Sequence, residues 1–87
     1  MININKLEED IRVAHENGVK YLIVGLLMYG KKEMIIIERD GFIDKLKYYK
    51  ESYTEDLKMK NNENIKIMRY MFSDRITIDV LDINNAV

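Results

Sequence analysis

A chain of 87 residues suits one domain, 1–87, with an adequate core, since a chain this long buries roughly 60–65% of its unfolded surface. Apolar residues at 47% and charged residues at 33% are ordinary for a globular protein and argue against intrinsic disorder. A net charge of −1 with interspersed signs leaves neither the basic stripe of a nucleic-acid binder nor the acidic stripe of a polyanion mimic, and the lack of cysteine removes disulfides and thiolate metal sites.

The opening MININKLEEDIR carries acids where a signal peptide needs a basic start and an apolar stretch. The longest apolar run, YLIVGLLMYG, is about half of the ~20 residues that cross a bilayer. Together these predict a soluble, cytoplasmic protein with no membrane association.

Residues 4–17 predict a helix. Ile4, Leu7, Ile11 and Ala14 fall on one stripe at about 100° per residue. Glu8, Glu9 and Asp10 are expected to favour the positive N-terminal end of its dipole, and Asn17 with Gly18 to end it.

Residues 20–29 and 32–40 predict the two strands of a hairpin, with YGKK as the turn. A two-residue type II′ loop at Gly30 and Lys31 would pair Leu27 with Met34 and Gly25 with Ile36. One face then carries Leu22, Val24, Leu26, Met28, Ile35 and Ile37. The other carries Tyr21, Ile23, Leu27, Tyr29, Met34 and Ile36, with Lys32, Glu38 and Asp40 at its edges. A hairpin with one wet face alternates apolar with polar residues. This one is apolar on both faces, so both need cover.

RDGF makes a turn, and a second helix is predicted from Ile43 to Lys60. Its buried stripe is Leu46, Tyr49, Tyr53 and Leu57, with Phe42 at its start. In KYYKESY, Tyr48 points nearly opposite that stripe, and Met59 comes round to the same outer side about three turns on. Tyr48 is either a lone surface aromatic lying along its neighbours' alkyl chains or a contact anchor, Tyr and Met being enriched at interfaces. NNEN ends the helix and IKIMRYMF predicts a third strand. The tail SDRITIDVLDI reads two ways: a helix capped by Ser73 and carrying Ile76, Val80 and Ile83, or a strand in which Ile76, Ile78 and Val80 alternate.

Reactive chemistry is sparse. His15, the one histidine, lies in the last turn of the first helix, where a protonated imidazole suits the dipole. Glu8, Glu9 and Asp10 point in different directions on a helix, which makes a poor cation site. Asp74, Asp79 and Asp82 lack the spacing and glycine of a calcium loop. The four glycines are scattered and form no phosphate-binding loop, and neither Ser52 nor Ser73 has a base near it in sequence. Lys45, Lys47, Lys50 and Lys58 alternate with Asp44, Glu51, Glu55 and Asp56 at intrahelical pairing distances, giving a solvated face and no phosphate track. No catalytic, cofactor-binding or metal-binding residue is expected.

The order helix, hairpin, helix, strand, with the stretch YLIVGLLMYGKKEMIIIERDGFIDKLKYYKESYTEDL, resembles small accessory proteins of bacterial phages and mobile elements. Some of these are anti-CRISPR inhibitors of effector nucleases. The resemblance implies a short, cysteine-free α+β protein that binds a host protein. Nucleic-acid mimics in that group are strongly acidic and this chain is balanced, so no functional residue is carried over.

The expectation is a two-layer α+β domain, with a hairpin-based antiparallel sheet of three to four strands and two principal helices. Its expected function is non-enzymatic protein binding through Tyr21, Ile23, Leu27, Tyr29, Met34 and Ile36 of the hairpin, with Tyr48 and Met59. Two alternatives stand beside it: a homodimerising structural module, and a small enzyme or ligand-binding domain with a pocket between sheet and helix.

Overall fold

A computed structural model describes residues 2–76. The chain runs α1 (Ile4–Glu16), β1 (Tyr21–Met28), β2 (Lys31–Glu38), a 3₁₀ turn at Arg39–Gly41, α2 (Phe42–Ser52) and β3 (Ile65–Ser73). The strands form one antiparallel sheet in the order β2-β1-β3. The fold is α+β, with two helices and three strands, and both helices contribute to a single principal core. Ser73 closes β3, and residues 77–83 of the ambiguous tail lie outside the described residues.

In α1 the Asn3 side chain caps the helix by accepting from the Lys6 N–H at 2.8 Å. Leu7, Ile11 and Ala14 are buried, and Gly18 takes the left-handed conformation (φ 73°) just beyond the Asn17 cap. Glu8, Glu9 and Asp10 do not serve the dipole as expected. They begin past the first turn, where its influence has fallen away. Glu8 instead accepts from Lys50 of α2 (2.7 Å) and Arg12 (3.0 Å), and Asp10 pairs with Lys6 (3.1 Å). The Lys50 ammonium, and then Arg12, hold the Glu8 carboxyl below its usual value.

The hairpin register differs from the expected one. Met28 pairs with Lys31, so the loop is Tyr29 and Gly30, Leu27 faces Lys32 and Gly25 faces Met34. Positive φ at both loop residues (52° and 81°) is the signature of a type I′ turn, whose twist matches that of the strands. The slip is two residues, an even number, so every side chain keeps its assigned face.

That face forms the core. Leu22, Val24 and Leu26 of β1 and Ile65 and Ile67 of β3 meet Leu7, Ile11 and Ala14 of α1 and Phe42, Leu46 and Tyr49 of α2. Ile35 and Ile37 pack partly buried at its β2 side. Strict alternation along β3 would send Tyr70 and Phe72 to the opposite face from Ile65 and Ile67. A bulge prevents this: Gly25 faces Arg69 while Leu26 faces Ile67, leaving Met68 as the extra residue. Tyr70 and Phe72 thus join the same core.

The second helix ends at Ser52, not Lys60. Tyr53 is extended and bridges to Met59. Thr54 N–H donates to the Lys58 carbonyl (2.7 Å) and Leu57 N–H to the Thr54 carbonyl (2.9 Å). Leu57 adopts φ 65°, which makes this a tight hairpin whose three-residue loop ends in a left-handed residue. Leucine is strained there, and full burial of its side chain offsets the strain. The small hairpin also covers part of β3's edge: Ile67 N–H donates to the Leu57 carbonyl and Met59 N–H to the Ile65 carbonyl, both at 2.9 Å. Tyr53 and Leu57 are buried as the stripe required, but only Tyr53 is adjacent to helix.

Tyr49 is buried at the centre of the helical layer, and its hydroxyl has no hydrogen-bond partner. Burial, with Tyr53 and Tyr48 adding to it, pushes the phenol above its ordinary pKa. A buried donor without a partner loses its hydration and gains nothing in return. Replacing Tyr49 with Phe is therefore expected to leave stability unchanged or raise it by about 1 kcal/mol, as urea denaturation would measure. Leu26→Ala, by contrast, truncates a packed core residue and is expected to cost roughly 2–5 kcal/mol in the same assay.

Candidate functional site: the outer face of the sheet

With both helices on one side, the sheet's other face is built from β-strand alternation alone. The pairings set it out in four rows across β2, β1 and β3: Glu38–Tyr21–Ser73, Ile36–Ile23–Met71, Met34–Gly25–Arg69 and Lys32–Leu27–Lys66. The second row is wholly apolar. The third has no side chain at its centre, because Gly25 leaves a notch between Met34 and Arg69. Lys32 and Lys66 flank Leu27 at one end, and Glu38 stands beside Tyr21 at the other.

Ile23 is fully buried, with Tyr21, Met34 and Met71 packed against it as a cluster separate from the main core. Exposure lies at the margin. Ile36 is 39% exposed and Tyr29, at the turn, 64%. Tyr29 is nonetheless held in place: its N–H donates to the Asn64 carbonyl (2.9 Å), and its hydroxyl accepts from the Asn62 amide. The open apolar patch expected from sequence is thus a sealed centre with an exposed β2 margin.

The structure divides the expected contact residues. Tyr21, Ile23, Leu27, Met34 and Ile36 share the outer face, with Tyr29 at its tip. Tyr48 lies in the helical layer, its ring 5.6 Å from that of Tyr49 and 6.2 Å from that of Tyr53, with the Lys45 ammonium 4.9 Å from its centroid. It is 42% exposed, the outermost of three tyrosines whose rings meet tilted or edge to face. Met59 does not come round beside it, because the helix has already ended; it packs partly buried against the main core. Met71 and Arg69, absent from the sequence-derived set, belong to the outer face. The bulge at Met68 hides their alternation from the sequence.

Other polar groups among the described residues make contacts within the fold. The backbone carbonyl of His15, not its ring, is its chief contact, accepting two hydrogen bonds from Arg39 (3.0 and 2.6 Å). A groove of about 760 Å³ opens between α1 and β3, lined by Val13, Ala14, Val19, Tyr70 and Phe72 together with the acids Glu9 and Asp10. Asp10 is already engaged by Lys6 and by the Tyr70 hydroxyl (2.7 Å). Burial, and then this carboxylate, raise the Tyr70 phenol above its usual pKa. Among the described residues no group of three or more acidic or histidine side chains is arranged to hold a metal, and no helix is long and apolar enough to cross a membrane.

No protein-family model, curated protein or solved structure matches the chain.

The sealed centre and open margin respond differently to charge. Ile23→Asp places an unpaired carboxylate in a closed apolar cluster and is expected to destabilise the domain by several kcal/mol. Ile36→Asp keeps its carboxylate in water and is expected to change stability by no more than about 1 kcal/mol. Thermal and urea denaturation of the two variants check the difference.

Proposed function

We propose that this protein is a small non-enzymatic interaction module that binds a protein partner through the outer face of its sheet. The reading that fits its resemblance is a cytoplasmic phage or mobile-element accessory protein that modulates a host protein, anti-CRISPR-like inhibition included. One observation carries the binding surface: an apolar row, Ile36–Ile23–Met71, crosses the face that the helices leave uncovered and reaches solvent at Ile36. Apolar area of this kind, rimmed by charge, commonly marks a contact surface. Tyr and Met suit it, since Tyr buries its ring while its hydroxyl stays wet and Met adapts to an irregular partner.

A second reading, a ligand-binding domain, draws on the groove between α1 and β3. Its lining is largely apolar, and of its two carboxylates, Glu9 and Asp10, the second is already engaged by Lys6 and Tyr70, which favours the binding-module reading.

Leu27 tests the proposal because it lies on the central strand's outer face, away from the core. Affinity capture from a bacterial host lysate with the native protein is expected to retain a protein that Leu27→Asp loses and Tyr48→Ala keeps, with the circular dichroism of both variants unchanged. Loss with Tyr48→Ala and retention with Leu27→Asp would move the surface to the helical layer.

A further inference from the structure

We propose that a second copy of this chain adds to the open edge of β2, joining two sheets into one antiparallel sheet of six strands with Ile35 on the two-fold axis. The inference rests on β2 itself and is independent of what binds the outer face.

Among the described residues β2 pairs with β1 alone. Hydrogen bonding alternates along an antiparallel pair, and two contacts fix its phase. Arg39 N–H donates to the Lys20 carbonyl on the β2 side, while Tyr29 N–H donates to the Asn64 carbonyl on the β3 side, both at 2.9 Å. The odd-numbered residues of β2 therefore bond to β1. The backbone N–H and C=O groups of Lys32, Met34, Ile36 and Glu38 point to the open edge. Edges are normally blunted by proline, a bulge or charge along their length. β2 has no proline, keeps unbroken register with β1, and runs Met34-Ile35-Ile36-Ile37 without a polar residue. Its charges stand toward the ends, Lys31, Lys32 and Glu33 at one and Glu38 at the other, and on the outer face they are of opposite sign, Lys32 against Glu38.

Those ends are self-complementary. A two-fold axis through the sheet keeps each side chain on its own face, so the pairing must centre on a residue. Centred on Ile35, Lys32 of each copy faces Glu38 of the other, and Met34 faces Ile36. Both rows lie on the outer face and repeat by symmetry. One mixed pair remains, Glu33 with Ile37. Centring on Met34 creates three mixed pairs, setting Lys31, Lys32 and Glu33 against Ile37, Ile36 and Ile35. Centring on Ile36 shortens the ladder to residues 34–38 and sets Met34 against Glu38. The Ile35 register is the one that matches both charge and apolarity, and it makes the two apolar outer rows continuous across the junction.

Charge reversal tests the partner and the register together. Lys32 and Glu38 are exposed, so Lys32→Glu and Glu38→Lys keep the monomer fold. Sedimentation or light scattering of the native protein over a concentration series should approach twice the monomer mass of 10.4 kDa. Each single variant places like charges opposite each other at both ends and should weaken association by about tenfold or more. Mixing the two variants restores both pairs, and a heterodimer should form where neither variant alone associates. A native protein that stays monomeric throughout overturns the proposal. So does a single variant that dimerises as the native chain does, or a mixture that forms no heterodimer.

Discussion

From Leu22 to Leu26 every residue of β1 is buried, although successive side chains of a strand point to opposite faces. A strand of this kind cannot lie at an edge or face water on either side, so it takes the centre of the sheet, between β2 and β3. The remainder of the chain answers that demand. Both helices turn their apolar stripes to one face, where Leu22, Val24 and Leu26 meet Leu7, Ile11, Phe42, Leu46 and Tyr49. The other face closes over Ile23 with Tyr21, Met34 and Met71. The two clusters differ in kind: the first is a dense helix-on-sheet core, the second a thin layer of side chains with an open margin.

Two local irregularities make this arrangement fit. The bulge at Met68 shifts β3's alternation by one residue, so that Ile65 and Ile67 below it and Tyr70 and Phe72 above it all reach the helical side. The tight hairpin at 53–60 delivers Leu57 to the core through a left-handed backbone and lends its own backbone groups to β3's edge. Each costs local regularity and gains burial. They also leave the two edges of the sheet unlike one another, since part of β3's edge is bonded to the hairpin whereas β2 meets only β1 among the described residues.

Much of this was legible in the residues. Apolar spacing located α1, the stripe Leu46, Tyr49, Tyr53 and Leu57, and the two-faced hairpin, because burial requires the same residues whatever the backbone does between them. For that reason it misjudged the end of α2: Leu57 falls on the helical stripe and is buried, yet reaches the core from a hairpin loop. The hairpin register was off by two residues because a type I′ turn needs positive φ at Tyr29, a residue that does not advertise it. Faces survived, since the slip was even. Of the candidate site, the outer-face residues of β1 and β2 were readable from alternation. Met71 and Arg69 were not, because a bulge breaks the period that would reveal them, and Tyr48 and Met59 share a side only if α2 continues through turns that do not exist.

β1 is enclosed by its neighbours, whereas β2 pairs with β1 alone among the described residues. Residue-resolved amide hydrogen exchange tests this most directly. Exchange should be slow throughout β1 and at Glu33, Ile35 and Ile37 of β2 at all concentrations. At Met34 and Ile36 exchange should be fast in dilute solution and slow as the protein is concentrated. Protection of Met34 and Ile36 that is already complete in dilute solution and indifferent to concentration would contradict it, because the edge would then be closed within the monomer.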